Sequence, residues 1–373
     1  MSIPLLDLSA QHQALADEFD AALERVRATQ RFIGGPEVEH FEQEAASFLG
    51  VADAVGCASG SDALLLALWA LGIGPGDEVI TTPFTFFATA GAVCRLGARP
   101  VFVDIEAESF NIDPTAIEAA ITPQTRALIP VHLFGVPANL DAMNKLVAHR
   151  NIAIVEDAAQ SIGASLNGRQ TGSMGALGCF SFFPSKNLGA WGDGGLVSCQ
   201  DPGLAEQVRR LRSHGSYPIK YVHTTIGCNS RLDALQAAIL RVKLPHLPRW
   251  NQLRREKFKR YQELATEHRL DQRLRFQAVS SDANPVFHQC VVRAERRDQL
   301  LAHLKADGIG CAIYYPIPLH LQDCFASLGY QRGQLPVAEQ ACEEVLALPI
   351  FPELSETAQQ RVMASIASFY GSN

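Results

Sequence analysis

Apolar residues change their spacing several times along the chain, and each change marks an element. Across residues 10–30, Leu15, Phe19, Leu23 and Val26 recur at helical intervals. Gly34, Gly35 and Pro36 interrupt that rhythm, and Phe41, Ala45 and Phe48 restart it over 37–49. From residue 54 onward, short apolar runs alternate with helical patterns. The runs fall at 54–56, 78–81, 100–103, 127–131 and 152–155; the helical patterns cover 61–71, 85–96, 114–120 and 139–150. This alternation predicts an α/β fold with a doubly wound, mostly parallel sheet covered by helices on both faces. Ligands of such sheets bind beyond the carboxyl ends of the strands, so the residues that follow each run are the ones that matter.

The rhythm then changes. Segments 178–183 and 195–199 read as strands joined by a glycine-rich connection, and helices are expected over 202–212 and 231–244. Pro245 and Pro248 break the pattern before a charged helix over 249–268. The boundary is set there: a large domain over residues 1–245, with an N-terminal helical segment, and a smaller α+β domain over residues 246–373. The latter carries a strand over 287–293 and helices over 297–307 and 337–346.

Composition narrows the class. With 373 residues, 47% hydrophobic and 19% charged, the chain is an ordinary globular protein with ample core. A net charge of −7 gives no general attraction for nucleic acid or anionic membrane. The nine cysteines form no C-x-x-C pair, which argues for free thiols and against a metal cluster. The first twenty residues turn polar too early for a signal peptide, and no apolar run is long enough to span a bilayer, so a cytoplasmic protein is expected.

Three segments carry chemistry. Lys186 lies in Ser181-Phe182-Phe183-Pro184-Ser185-Lys186-Asn187-Leu188-Gly189, ahead of Trp191-Gly192-Asp193-Gly194-Gly195. A buried amine there suits Schiff-base chemistry; taken alone, the segment fits a solvated surface lysine better. Asp157 ends an apolar run in Glu156-Asp157-Ala158-Ala159-Gln160. It serves either as a turn cap or as an anion held against a cationic heteroaromatic nitrogen. Ala58-Ser59-Gly60-Ser61-Asp62 opens a helix after a strand, with Ser61 the expected N-cap and a phosphate the expected ligand; in isolation a plain cap is the better reading. An aldehyde for Lys186, a ring nitrogen for Asp157 and a phosphate for Ser61 together describe pyridoxal 5′-phosphate (PLP).

With these motifs the chain resembles the DegT/DnrJ/EryC1/StrS family of sugar aminotransferases. Gly74-Pro75-Gly76-Asp77-Glu78, Phe84-Thr85-Phe86, Pro130-Val131-His132-Leu133-Phe134-Gly135, Asn229-Ser230-Arg231-Leu232-Asp233 and Tyr315-Pro316-Ile317-Pro318-Leu319-His320 extend the likeness over nearly the whole length. The resemblance implies the PLP-dependent transferase fold type I, similar to aspartate aminotransferase. It implies that Lys186 carries the cofactor as an aldimine and shuttles the proton, and that Asp157 pairs with the pyridine nitrogen. Gln160 would lie near the ring hydroxyl and Phe86 would stack on the ring. Gly60, Ser61, the Asp62 backbone and Ser181 would contact the phosphate, and Asn229 would reach the phosphate of the partner subunit in a homodimer with shared active sites.

The implied reaction is ping-pong transamination from L-glutamate to a keto group of a nucleotide-linked sugar, as in lipopolysaccharide and other polysaccharide biosynthesis. The loops resemble members that aminate C3; a C4 aminotransferase acting on a 4-keto-6-deoxy sugar is the alternative. Family dehydratases carry histidine in place of Lys186, and a non-catalytic PLP-binding regulator would not need the full residue set. His132 and His320 serve equally well as pocket wall or as acid–base groups. The glycines of Gly72-Ile73-Gly74-Pro75-Gly76 precede a strand and read as a surface turn, not a dinucleotide loop. Arg254, Arg255, Lys257, Lys259 and Arg260 read as a solvated helix face.

Overall fold

The computed structural model describes residues 2–371. In chain order, helices α1 (Ser9–Ala14), α2 (Ala16–Thr29) and α3 (Pro36–Leu49) lead into β1 (Asp53–Cys57), α4 (Gly60–Ala70), β2 (Glu78–Thr81) and α5 (Ala88–Arg95). Then come β3 (Arg99–Phe102), α6 (Pro114–Ala120), β4 (Thr125–Ile129), α7 (Leu140–Val147) and β5 (Ala153–Asp157). The short strands β6 (Ser165–Leu166) and β7 (Arg169–Gln170) precede β8 (Leu177–Ser181), β9 (Gly195–Cys199), α8 (Pro202–Leu211) and α9 (Ala234–Lys243). The C-terminal part holds α10 (Leu247–Glu267), β10 (Leu274–Phe276), β11 (Ala283–Asn284), β12 (Cys290–Ala294), α11 (Arg297–Ala306), α12 (Pro336–Glu344), β13 (Val345–Leu348) and α13 (Glu356–Gly371).

Seven strands form the main sheet in the order β1-β9-β8-β5-β4-β2-β3. Pairings from β8 through β3 are parallel, and β9 runs antiparallel to both its neighbours. The expected mostly parallel sheet is therefore present, with helices on both sides. On one face, α4 brings Leu64, Leu66 and Leu68 against Val55, Val155 and Val197. On the other, Phe41 and Leu49 of α3 pack with Ala237 and Leu240 of α9 under Ala54 and Phe180. Burying such side chains on both faces is the dominant stabilising term, roughly 1.5–3 kcal/mol each.

A three-stranded antiparallel sheet, β10-β12-β13, lies in the C-terminal part. Its core joins Phe258 and Tyr261 of α10, Leu300 of α11 and Val362 of α13, and it takes in Ile3 from the start of the chain. Two sequence expectations shift here. α9 ends at Lys243, just ahead of Pro245, which lies in a 3₁₀ turn, but α10 begins at Leu247 rather than after Pro248, because Pro248 sits in its first turn, where an N–H has no intrahelical acceptor to lose. The helix expected over 337–346 ends at Glu344, and its last apolar residues begin β13. No helix among the described residues is long and apolar enough to cross a membrane.

Candidate active site

The C-terminal ends of β1, β2, β5 and β8 converge on one cleft edge. After β1, Ser59 adopts an extended conformation and its Oγ accepts the Asp62 N–H at 3.1 Å, so Ser59 is the N-cap of α4. Ser61, the expected cap, instead sits in the first turn, because the chain becomes helical already at Gly60. The Asp62 N–H is committed to that cap, and the Asp62 carboxylate faces Arg95 at 3.3 Å. The N–H groups of Gly60 and Ser61 have no intrahelical acceptor. Gly60 also lets β8 approach, since a Cβ there would stand 2.5 Å from the Ser181 Cβ. Gly60, Ser61 and Ser181 are thus brought together at a helix N-terminus.

Asp157 closes β5 and is buried. Its Oδ2 accepts from Thr89 Oγ1 at 2.8 Å and its Oδ1 from the Ala159 N–H at 3.2 Å. Burial pushes its carboxyl above the usual carboxylate range, against the pull of these donors and of Lys186. Lys186 rides the turn between β8 and β9, which its own N–H closes onto the Phe183 carbonyl at 2.8 Å. The residue is half-buried, but its amino group is desolvated. Burial pulls the ammonium down to about 8, against the favourable charge of Asp157. No hydrogen bond or ion pair holds this amine among the described residues.

The turn itself is gripped from outside. The Asn187 amide donates to Asn251 Oδ1 at 2.8 Å, Lys243 Nζ donates to the Gly189 carbonyl at 2.7 Å, and the Trp191 N–H donates to Gln236 Oε1 at 2.8 Å. Gly189 is required by the fold of the turn: a Cβ would meet the Pro184 oxygen at 2.3 Å.

Phe86 follows β2 with 58% of its surface exposed, its ring 6.4 Å from that of Tyr315. Gln160 Oε1 accepts the Phe134 N–H at 2.7 Å, which turns its amide nitrogen toward the Tyr315 hydroxyl, 3.5 Å away. Asn229 is exposed and bridges to Ser213. It borders a cleft of about 560 Å³ together with Ser59, Asp193 and Arg231. A larger cleft of about 830 Å³ lies elsewhere, where Arg273, Arg275 and Arg293 already pair with Glu295 and Glu344.

Both ambiguous histidines are held by protein groups. His132 Nδ1 accepts the Ala138 N–H at 3.0 Å and its Nε2 lies 2.9 Å from Glu156, a buried carboxylate that also accepts the N–H groups of Gly172, Met174 and Gly175. With both nitrogens engaged, His132 is a structural group. His320 Nε2 lies 3.1 Å from Glu339. The solvated-face reading of Arg254 is corrected: the residue is 2% exposed, and its Nη1 donates to the carbonyls of Phe287, His288 and Ile350. Sequence reasoning also missed Thr89 and His288. The sign of Thr89 was a polar residue on the inward face of α5, one turn after Thr85.

The sheet order, with its single reversed strand, and the lysine turn beside an acidic strand end define the α/β architecture of fold type I PLP-dependent aminotransferases. The chain belongs to the DegT/DnrJ/EryC1/StrS aminotransferase family, whose profile matches residues 13–367. It is 50% identical, over 99% of both chains, to a "Pleiotropic regulatory protein" of Geobacillus stearothermophilus. It is 47% identical to a UDP-N-acetyl-3-dehydro-alpha-D-glucosamine 3-aminotransferase of Acidithiobacillus ferrooxidans, over 98% of this chain and 97% of that one. The solved structure of S. venezuelae DesV in complex with a ketimine intermediate matches with a TM-score of 0.95 at 45% identity, covering 99% of this chain and 98% of that one.

Proposed function

We propose that the chain uses PLP to move an amino group from L-glutamate to the C3 keto group of a nucleotide-linked sugar. The observation that carries the chemistry is the pair of Lys186 and Asp157: an amine drawn down to about 8 within electrostatic reach of a buried carboxylate. The preference for C3 rests on the likeness to a 3-aminotransferase over almost the full length of both chains.

The residues fit the cofactor. Asp157 is a buried carboxylate whose charge is only partly compensated, and a cationic ring nitrogen would complete it. Phe86 offers an exposed aromatic face, and the Gln160 amide nitrogen can donate to a ring hydroxyl. The Gly60 and Ser61 N–H groups and the Ser181 hydroxyl suit a phosphate at the positive end of α4. When bound, PLP supplies an electron sink for the charge left when the donor loses its α-proton. Asp157 would keep the ring nitrogen protonated. Lys186 would hold the cofactor at rest and, as a free amine, would take the donor's α-proton at Nζ and pass it on. It does this only as a neutral amine, which its depressed pKa favours. Donor and sugar use the same site in turn, so the kinetics are ping-pong.

A homodimer completes the site in this reading. Ile219, Tyr221, Val222 and Ile226 expose large apolar surfaces on the segment that leads to Asn229. A second reading, a PLP-binding regulator without turnover, draws on the name of the 50% identical relative. The full set of Lys186, Asp157, Gln160, Gly60 and Ser61 speaks for catalysis. The test is incubation with L-glutamate and 3-keto or 4-keto nucleotide sugars, with the amino sugar detected by mass spectrometry. Amination of the 3-keto sugar is expected; exclusive amination of the 4-keto sugar would move the site of attack, and no amination of either would favour the regulator.

A further inference from the structure

The turn that carries Lys186 is tied to the C-terminal part of the chain by a polar relay whose direction is set at its far end. The Asn251 amide nitrogen donates to the Ile162 carbonyl at 3.0 Å, so Asn251 Oδ1 is the acceptor for the Asn187 amide at 2.8 Å. The same Asn187 nitrogen donates to the Val286 carbonyl at 3.1 Å. Asn187 Oδ1 is therefore left to accept, and the ring atom 3.2 Å from it, His288 Nδ1, carries the proton. Asn187, Asn251 and His288 are all buried. His288 Nε2 keeps its lone pair and has no protein partner among the described residues. The residue borders a small cavity of about 80 Å³ with Ser185, Gln289 and Tyr314.

His288 is delivered there by a firmly held segment. Arg254 Nη1 bonds the Phe287 and His288 carbonyls, and the Val286 N–H donates to the Gly135 carbonyl at 2.9 Å. The Phe287 ring stacks on Phe258 at 3.7 Å. Within electrostatic reach of the Lys186 amine are Asp157 from β5 and His288 from the segment before β12. Arg254 of α10 is within reach of His288, and His132 and Tyr315 are within reach of Asp157. Burial, with the charges of Lys186 and Arg254, holds His288 well below its ordinary pKa, so the ring is neutral and adds no charge beside the amine.

We propose that His288 is a positioning residue for the reaction: through its Nδ1–H bond to Asn187 it locks the turn so that the Lys186 amine stays in its desolvated place beside Asp157. The proposal rests on the reading of Lys186 as the cofactor lysine. Two polar substitutions separate this bond from mere filling of space. His288→Asn puts an amide nitrogen close to where Nδ1 stands, and His288→Gln puts it where Nε2 stands, so only the former can restore the bond to Asn187.

The experiment is acylation of the full-length, cofactor-free protein with acetic anhydride from neutral to alkaline pH, with Lys186 labelling quantified by peptide mass spectrometry. The wild-type midpoint is expected at about 8. His288→Gln should move it up by about one pH unit, toward the ordinary lysine value, as the loosened turn lets water reach the amine. In the PLP-loaded enzyme the same variant should lower kcat roughly tenfold with KM little changed, and His288→Asn should stay near wild type in both readings. Two variants that behave alike, or an Asn variant displaced further than the Gln variant, would overturn the proposal. The midpoint is read without cofactor, so a chain that proves unable to transaminate would defeat the functional reading and still leave this test decisive.

Discussion

Lys186 and Asp157 are both desolvated, and each is only partly compensated by protein. Thr89 and Ala159 supply two hydrogen bonds to Asp157, whereas the Lys186 amine receives none. That asymmetry leaves the amine free to react. Lys186→Ala should abolish turnover while circular dichroism and melting stay close to wild type; surviving transamination would remove the lysine from its role. Asp157→Asn keeps the shape but loses the charge, and should lower kcat by about 100-fold or more, measured with saturating PLP. Lys243 offers a pH test. Its ammonium, bonded to Gly189, sits at about 8 against an ordinary 10.5 because burial disfavours the charge. The unfolded chain therefore binds more protons between those values, and this group's contribution to stability rises with pH across that window. The difference in unfolding free energy between wild type and Lys243→Met should climb across it, and a flat difference would contradict the assignment. At this scale the sequence motifs single out Lys186, Asp157 and Gln160, and the fold sets them at or just beyond the ends of β5 and β8. The sequence was illegible for Arg254 and His288. Arg254 sits on a helix rich in charge, and only the tertiary fold brings three carbonyls around it.

Elements were legible in proportion to how local their causes are. The strands β2, β3, β4, β5, β8 and β9 follow short apolar runs, and α6 and α8 begin with proline after an aspartate cap, a purely local signal. Starts without such a signal slipped. The helix expected from residue 85 begins at Ala88, because the preceding residues form the loop that carries Phe86. β13 was hidden because Val345-Leu346-Ala347-Leu348 contains good helix formers, and only pairing with β12 makes it a strand. The cap of α4 moved from Ser61 to Ser59, since a serine stands at both positions and the tight approach of Gly60 to Ser181 decides between them. Ser59→Ala should cost about 1 kcal/mol of unfolding free energy, read by urea denaturation, and should also weaken PLP binding by loosening the first turn. An unchanged denaturation midpoint would mean that the cap is dispensable.

At the scale of the whole molecule, the main sheet collects the strand ends, and loops of the C-terminal part bring Tyr315 to Gln160 and His288 to Asn187. The exposed Ile219, Tyr221 and Ile226 leave a surface suited to a second copy of the chain. Ile226, 80% exposed, contributes little to the fold of its own chain. Ile226→Asp should thus leave the melting of the secondary structure near wild type but shift the mass seen by light scattering from dimer to monomer, with loss of turnover. A variant that stays dimeric, or a monomer with full activity, would contradict a site shared between subunits.

The most direct test of the central claim is the absorption spectrum of the PLP-loaded protein before and after L-glutamate is added without any sugar. The visible band of the lysine-bound cofactor should collapse to the ultraviolet band of pyridoxamine phosphate, with one equivalent of 2-oxoglutarate released per site, and Lys186→Ala should show neither the starting band nor the release. A wild-type band that L-glutamate leaves unchanged, with no 2-oxoglutarate formed, would contradict the account.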